Sequence, residues 1–432
     1  MDIRAADPLA ARNIFDQISL GPASMTIDHK AVAPEQVRLE FIALLALTMS
    51  LVALAIDSML PALSEIAIDL GVTNPNDRQM VITVLFAGFG IAQILYGPIS
   101  DSVGRKPSIY AGFVVFIIGS ILAILSQDFT TMLIGRFLQG FGAAGPRTVV
   151  VAMVRDRYEG RAMVRIMSLV TSVFILVPVL APSIGQGILI VAHWRAIFWM
   201  LLVLGVITAL WFALRLEETL PRERRRELSF TRILDAVIET FRARVALGYM
   251  TATGLVFGAF IGYLASAQQI FQEMFGMGKL FPICFGTLAI TFGAASLTNA
   301  KLVMRFGMRK LSHHALMGHT ILSLIFVAVA FYVDGKPPFL VFMAFMMGAF
   351  FLIGLLFGNF NAMAMAPLGH IAGVGAAVIG MMTTVISAGC GAIIGHAYQG
   401  TILPLAIGFS VLGVLSLFVT RWADGGHTEG AN

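Results

Sequence analysis

Long apolar segments recur along the whole chain and set the strongest limit on its fold. Each holds about twenty residues, the length that a helix needs to cross roughly 30 Å of hydrocarbon. Of the 432 residues 58% are hydrophobic and only 12% are Asp, Glu, Lys or Arg, about half the charged share of a soluble domain. This apolar surface is too large for a water-soluble core, so the sequence predicts an all-α membrane protein. Twelve spans are predicted, near residues 39–62, 79–99, 108–126, 131–154, 164–190, 195–215, 246–270, 280–300, 311–333, 338–361, 371–396 and 402–421.

The distribution of Lys and Arg predicts which side of the membrane each loop faces. With both termini in the cytoplasm, inward tails and loops hold 23 of the 29 bases, as the inside-positive rule requires. Outward loops hold only Arg78, Arg195, Lys279 and Lys336. The basic charge is therefore explained by orientation in a lipid bilayer, without a nucleic-acid partner.

The longest inward loop divides the predicted spans into six and six. We predict an N-terminal cytoplasmic tail at 1–38, a six-helix bundle at 39–215, a central loop at 216–245, a second bundle at 246–421 and a tail at 422–432. The turn Ser102-Val-Gly-Arg-Lys after the second span is echoed by Arg305-Phe-Gly-Met-Arg-Lys after the eighth. Parallel six-span halves are a known transporter architecture, and we predict two pseudo-symmetric bundles.

The inward loop between the second and third spans is unusually rich in charge and glycine. It reads Gly97-Pro-Ile-Ser-Asp101-Ser-Val-Gly104-Arg105-Lys106-Pro. The Gly-Pro pair at its start is predicted to end a helix, and Gly104 to allow a positive-φ turn. Ion pairs of Asp101 with these bases, Arg105 first, could close the inner side of a bundle in one state and break in another. The alternative is a tight turn whose bases only follow the inside-positive rule.

This loop resembles the signature G-x-L-x-D-R-x-G-R-K/R of the major facilitator superfamily, with Ser102 in place of the base after the Asp. In the fourth span, Arg136-Phe-Leu-Gln139-Gly140 is similar to the superfamily's R-x-x-Q-G motif. The fifth span resembles the G-P-x-x-G-G element of exporters through Pro178, Ala181, Pro182 and Gly185. Here Ala181 replaces the first Gly, and Gln186 interrupts the Gly pair.

Three further segments narrow the resemblance to the bicyclomycin/chloramphenicol-resistance (Bcr/CflA) subfamily of drug:proton antiporters. They are Asp57-Ser-Met-Leu-Pro-Ala-Leu, Val154-Arg-Asp-Arg-Tyr and His193-Trp-Arg-Ala-Ile-Phe. The resemblance implies a monomeric, multi-pass protein of the bacterial inner membrane that exports small amphipathic drug-like molecules in exchange for protons, with no cofactor or metal. Alternatives are a proton-coupled carrier of one metabolite, a membrane enzyme, and a sensor that does not transport.

Asp57, Arg136 and Arg147 are the ionisable residues predicted within spans. A charge at the bilayer centre costs about 2.5–3.5 kcal/mol, so such residues usually face a cavity and have a function. Asp57 and Arg136 are predicted at similar depth, and we interpret Asp57 as the proton-coupling carboxylate with Arg136 as its counter-charge. The alternative for Asp57 is a structural role at the bend made by Pro61. Arg147 could bind an anionic substrate, brace the inner gate or serve structure alone.

Polar, small and aromatic residues predict the wall of a substrate cavity. Gln139 and Ala143 lie on or near the helix face that carries both arginines of the fourth span, about 16 Å apart. Phe257 and Phe260 in the seventh span and Phe357 in the tenth offer broad faces that suit varied shapes. The alternative is that these phenylalanines only pack between helices or against lipid.

Overall fold

The computed structural model describes residues 39–158, 160–225 and 228–425, and within these ranges the secondary structure is helical. The tail predicted at 1–38 and the last seven residues of the tail predicted at 422–432 lie outside the described residues. The α-helices are α1 (Leu39–Asp57), α2 (Leu63–Asp69), α3 (Met80–Val103), α4 (Arg105–Leu125), α5 (Phe129–Arg157), α6 (Gly160–Val191), α7 (Arg195–Arg215), α8 (Phe230–Arg242), α9 (Arg244–Gln268), α10 (Phe281–Phe306), α11 (Met308–Tyr332), α12 (Phe339–Met365), α13 (Ala372–His396) and α14 (Leu403–Asp424).

Eleven helical stretches in the described part are long and apolar enough to cross a membrane. One of them, Phe339–His396, has 58 residues and contains both α12 and α13, separated by the 3₁₀ segment Ala366–Ile371. It therefore provides two crossings, which brings the number to twelve. The predicted all-α membrane fold with twelve spans is confirmed.

Two prolines near the ends of predicted spans do not end their helical stretches. The first crossing does not stop near Pro61: a 3₁₀ turn, Leu60–Ala62, leads into α2, which extends the helical stretch to Asp69. The prediction that Gly97 and Pro98 end a helix is wrong, because α3 continues through both to Val103. A proline inside a helix removes one hydrogen bond. α3 continues despite this loss and ends at Gly104, where the backbone is no longer helical.

Glycines in left-handed backbone conformation end corresponding helices in the two halves of the chain. Gly104 has φ 113° and joins α3 directly to α4, and Gly307 has φ 76° and joins α10 directly to α11. A residue with a Cβ rarely adopts such angles. The predicted positive-φ turn at Gly104 is confirmed, and the corresponding Gly307 in the second half also has a positive φ.

Close helix contacts at glycines bring α5 against its neighbours. A Cβ on Gly140 would lie 2.0 Å from the carbonyl oxygen of Leu85 in α3, and one on Gly135 would lie 2.8 Å from the backbone nitrogen of Ala123 in α4. Small residues at such crossings let backbones approach closely within a membrane. The polar side chains on this part of α5 are consequently enclosed by protein.

Candidate functional site

Asp57 is the last residue of α1, immediately before the bend that leads into α2. Asp57 is 5% exposed, and it is the only buried Asp or Glu in the described part of the chain. No hydrogen bond or ion pair reaches its carboxylate from the described residues. An uncompensated carboxylate is costly in a low-dielectric interior, so this position favours a group that binds and releases a proton.

The exporter-type element of α6 packs directly beside Asp57. A Cβ on Gly185 would lie 1.7 Å from the carbonyl oxygen of Ser58, and Ala181, one turn earlier, is fully buried. Pro178 and Pro182 are both contained within the continuous helix α6. The glycine of this element therefore allows α6 to touch the backbone next to the buried acid.

Tyr263 of α9 faces the same region from the second half of the chain. It is fully buried, its helix packs against the 3₁₀ turn Leu60–Ala62 that follows Asp57, and its hydroxyl has no hydrogen-bond partner among the described residues. Its ring packs against Phe285 and Phe350 at centroid distances of 5.8 and 5.0 Å. Tyr263 could not be predicted from the sequence, because a tyrosine in an apolar span carries no signal of its own.

Arg136, which we predicted as the counter-charge of Asp57, binds neutral partners in this conformation. Its Nε and Nη2 donate to the carbonyl oxygens of Val81 and Ala55, each at 3.0 Å, and its Nη1 donates to Gln139 Oε1 at 2.7 Å. Arg136 is fully buried, and these partners are all neutral. The guanidinium thus binds the backbone two residues before the acid, and it bridges α5 to α1 and α3.

Gln139 and Ala143 do not line a water-filled cavity in this structure. Gln139 is fully buried and donates from Nε2 to Ser120 Oγ at 2.8 Å, and Ala143 is 3% exposed. In this conformation both side chains are therefore enclosed by protein, and their place on a cavity wall stays a prediction. The residues instead belong to the packed interior that holds Arg136.

Arg147 lies on the wall of a cavity near the helix ends that the inside-positive rule predicts to be cytoplasmic. The cavity has a volume of 260 Å³ and includes Asp101 and Arg105 from the first half and Gly373 from the second. The Arg147 guanidinium lies 4.7 Å from the centre of the Phe174 ring, and its buried Nη1 has no hydrogen-bond partner among the described residues. This arrangement leaves a donor for a further group.

The three predicted cavity phenylalanines come together. The ring centres of Phe257 and Phe260 are 4.8 Å apart, and those of Phe257 and Phe357 are 5.0 Å apart. Phe350 extends the cluster, at 5.3 Å from Phe260. The three predicted rings are each partly exposed, so they offer an aromatic surface rather than a sealed core.

Asp101 and Arg105 form the predicted ion pair, but both belong to the first half of the chain. Arg105 Nη1 lies 2.5 Å from Asp101 Oδ1, and its Nε lies 2.8 Å from Asp156 Oδ2 at the end of α5. Arg105 is only 3% exposed. Toward the second half, Asp101 Oδ2 would lie 3.9 Å from a Cβ on Gly373 in α13.

Glu218 in the central loop caps this turn, a contact that the sequence analysis missed. Its carboxylate accepts hydrogen bonds from the backbone N–H groups of Arg105 and Lys106 at 2.9 and 3.1 Å. A Cβ on Gly104 would lie 2.6 Å from Glu218 Oε2. The Lys106 ammonium lies over the Tyr110 ring at 5.8 Å, so its side chain makes no part of the ion-pair network.

The opposite end of the bundle, which the inside-positive rule predicts to face outward, holds a polar cluster that we call the outer clamp. It is formed by Ser64, Arg78 and Gln79 with Gln269 and Glu273. Arg78 Nη2 lies 2.7 Å from Glu273 Oε1, and Arg78 Nη1 donates to Ser64 Oγ at 2.5 Å. Gln79 Nε2 donates to Gln269 Oε1 at 2.7 Å. These contacts join the first half to the second, whereas the cavity with Arg147 lies at the other end.

A family model described as Major Facilitator Superfamily matches residues 45–394. Among curated relatives, the chain is 30% identical over 400 residues to "Uncharacterized MFS-type transporter YdgK" of Bacillus subtilis, covering 90% of this chain and 97% of that one. It is 28% identical over 384 residues to a "Bicyclomycin resistance protein homolog" of Haemophilus influenzae, covering 87% and 94%. It is also 27% identical over 340 residues to "Multidrug resistance protein MdtL" of Vibrio parahaemolyticus, covering 77% and 83%.

Solved structures share the fold. The xylose transporter XylE from E. coli, in a partially occluded inward open conformation, superposes with a TM-score of 0.70 at 13% identity, covering 91% of this chain and 99% of that one. The human organic anion transporter MFSD10 superposes with a TM-score of 0.61 at 17% identity, covering 88% and 99%. With the twelve crossings, the sequence motifs and the match over most of its length, the chain belongs to the major facilitator superfamily, as a multi-pass membrane transporter and not an enzyme.

Proposed function

We propose that this transporter exports small amphipathic drug-like molecules in exchange for protons by alternating access. The observation that carries the proposal is the buried Asp57, without an ion-pair partner among the described residues, at the bend of the first crossing. The named relatives include a bicyclomycin-resistance homologue and a multidrug-resistance protein, which supports export of drug-like molecules.

Asp57 is the proton carrier in this proposal, and Tyr263 and Gly185 are its neighbours. Arg136 serves as a brace rather than a direct counter-charge, because its three donors already bind neutral oxygens. Moving one elementary charge across a potential of about 100 mV is worth roughly 2.3 kcal/mol. A proton that enters at Asp57 from one side and leaves to the other can therefore bias the conformational cycle.

The two halves, at 39–215 and 246–421, alternate between closing the outer and the inner end. In the present conformation the outer clamp joins the two halves at one end, and the cavity beside Arg147 lies at the other. We propose that the aromatic surface of Phe257, Phe260 and Phe357 accepts the apolar part of a substrate, and that Arg147 meets a polar or anionic part. Both termini are proposed to lie in the cytoplasm of a bacterial cell, with one chain as the working unit.

The Asp57→Asn variant tests this function in everted vesicles with an acid interior. A panel of fluorescent dyes and drugs is offered, with and without a protonophore. Gradient-driven accumulation is expected to disappear in the variant while exchange of substrate for substrate continues, since Asn cannot carry a proton. Glu65→Gln, which removes an acid in α2 with a side chain 44% exposed, is the matched control.

Gradient-driven transport that survives intact in Asp57→Asn would remove Asp57 from the mechanism. Transport of one compound from the panel, or of none, would favour the carrier of a specific metabolite.

A further inference from the structure

The central loop contains a helix, α8 (Phe230–Arg242), whose surface divides into three faces. At 100° per residue, Ala236 and Thr240 lie on one side, Leu234 and Ile238 on a second, and the charged residues on a third. The charged residues with described side chains on this third face are Asp235, Glu239 and Arg242. The partly buried Ile233, Val237 and Phe241 lie between the first and second faces.

The first face packs on the protein. Thr240 is fully buried and Ala236 is 6% exposed, and α8 packs against α9 and α13. Glu239 Oε1 lies 2.5 Å from His370 Nε2, in the 3₁₀ segment that precedes α13. These contacts fix the rotation of α8, so its second face cannot turn toward the bundle.

The second face is apolar and uncovered. Leu234 is 46% exposed and Ile238 is 39% exposed, and they are one turn apart. They lie between the protein-facing side and the charged side, so the helix presents protein, apolar and polar faces in order around its axis. Two exposed apolar side chains one turn apart do not stabilise a helix that is surrounded by water.

The position of α8 along the chain places it at the membrane surface. A single residue, Ala243, separates it from α9, which starts at Arg244 and is a membrane crossing. A helix with a strong apolar face, a charged face and a location at the end of a crossing has the properties of an interfacial helix that lies in the plane of the headgroups.

We propose that α8 docks on the bilayer surface next to the central loop, inserting Leu234 and Ile238 between the phospholipid headgroups. Asp235 and Arg242 then face water, and the pair Glu239–His370 joins the docked helix to the start of α13. The docked surface is a phospholipid bilayer, and its acyl–headgroup boundary covers the apolar strip.

Spin labelling of the full-length protein in phospholipid vesicles tests this docking. Cys284 and Cys390 are first replaced with Ala, and single cysteines are introduced by Leu234→Cys and Ile238→Cys. The matched controls are Asp235→Cys and Arg242→Cys, on the same helix and also exposed. The accessibility of each nitroxide is measured to oxygen, which concentrates in lipid, and to a nickel chelate that stays in water.

Labels at 234 and 238 are expected to show an oxygen-to-nickel accessibility ratio several-fold above that of labels at 235 and 242. Equal ratios at all four positions would overturn the proposal and describe a solvated helix. Low accessibility to both reagents at 234 and 238 would overturn it as well, because a protein surface, such as a second copy of the chain, would then cover the strip.

Discussion

The contact between α6 and the backbone beside Asp57 makes a sharp prediction for one glycine. A Cβ on Gly185 would lie 1.7 Å from the Ser58 carbonyl oxygen, 2.7 Å from its carbonyl carbon and 3.2 Å from its Cα. An ordinary contact begins at 3.4 Å, so α6 in Gly185→Ala must withdraw from α1. Gly187, two residues later in the same helix, has nothing within 4 Å of its Cβ position and supplies the control.

The size of the effect follows from comparing the two alanines. Alanine favours a helix over glycine by about 0.8–1.0 kcal/mol, and this gain is the same at Gly185 and Gly187, so it cancels. The remaining difference is the cost of overpacking, about 1–3 kcal/mol. The upper part of this range is expected, because the clash is with backbone and no side chain can rotate away.

Thermal unfolding of the purified variants measures this difference, and vesicle export measures its consequence. Since 1 kcal/mol corresponds to about 2–4 °C in domains of 150–250 residues, Gly185→Ala should unfold several degrees below Gly187→Ala. Its gradient-driven export should also fall, because the bend beside Asp57 is displaced. Equal unfolding temperatures and equal export rates for the two variants would refute the packing of Gly185 on Ser58.

Two contacts at the ends of the bundle give further predictions. Glu218→Ala removes the carboxylate that caps α4, at a cost of about 0.5–2 kcal/mol, and should speed trypsin cleavage at the α3–α4 turn. Glu217→Ala, which removes a side chain that is 90% exposed, should leave cleavage unchanged. Equal cleavage rates for the two variants would contradict the cap. Glu273→Gln weakens the outer clamp. In the background without native cysteines, it should increase the labelling of Phe257→Cys by an impermeant maleimide added on the outer side. Unchanged labelling would show that this clamp does not control outward opening.

The positions of the spans could be predicted from the sequence because lipid imposes a simple rule. Backbone groups in hydrocarbon must be satisfied within the helix, so length and hydropathy alone locate each crossing. The left-handed turn at Gly104 was also predictable, since a glycine between two apolar runs can adopt a positive φ without steric cost. Pro98 misled the analysis because its effect on a helix depends on whether the surroundings compensate the missing donor.

The depth of a residue could be predicted from the sequence, whereas its rotation about the helix axis could not. Arg136 donates a hydrogen bond to the carbonyl oxygen of Ala55, two residues before Asp57. Close packing at Gly140 directs the guanidinium into the interior between α1, α3 and α5. Gln139 follows it for the same reason. Whether a face borders water or protein is decided by the neighbouring helix, which the local pattern does not contain.

Contacts between distant loops left no trace in the sequence pattern. Glu218 reaches the turn at Arg105 across 113 positions of the chain, and Glu273 meets Arg78 across the two halves. Neither acid belongs to a periodic segment or a recognisable motif. Their importance depends on helix ends meeting in space, which only the assembled bundle specifies.

Proton release on substrate binding tests the central role of Asp57 most directly. A compound that the vesicle panel identifies as exported is added to the purified transporter in weakly buffered solution, and the change in pH is recorded. The wild-type chain is expected to release up to about one proton per molecule, and Asp57→Asn to release none while still binding the compound. Equal proton release from both proteins would contradict the account.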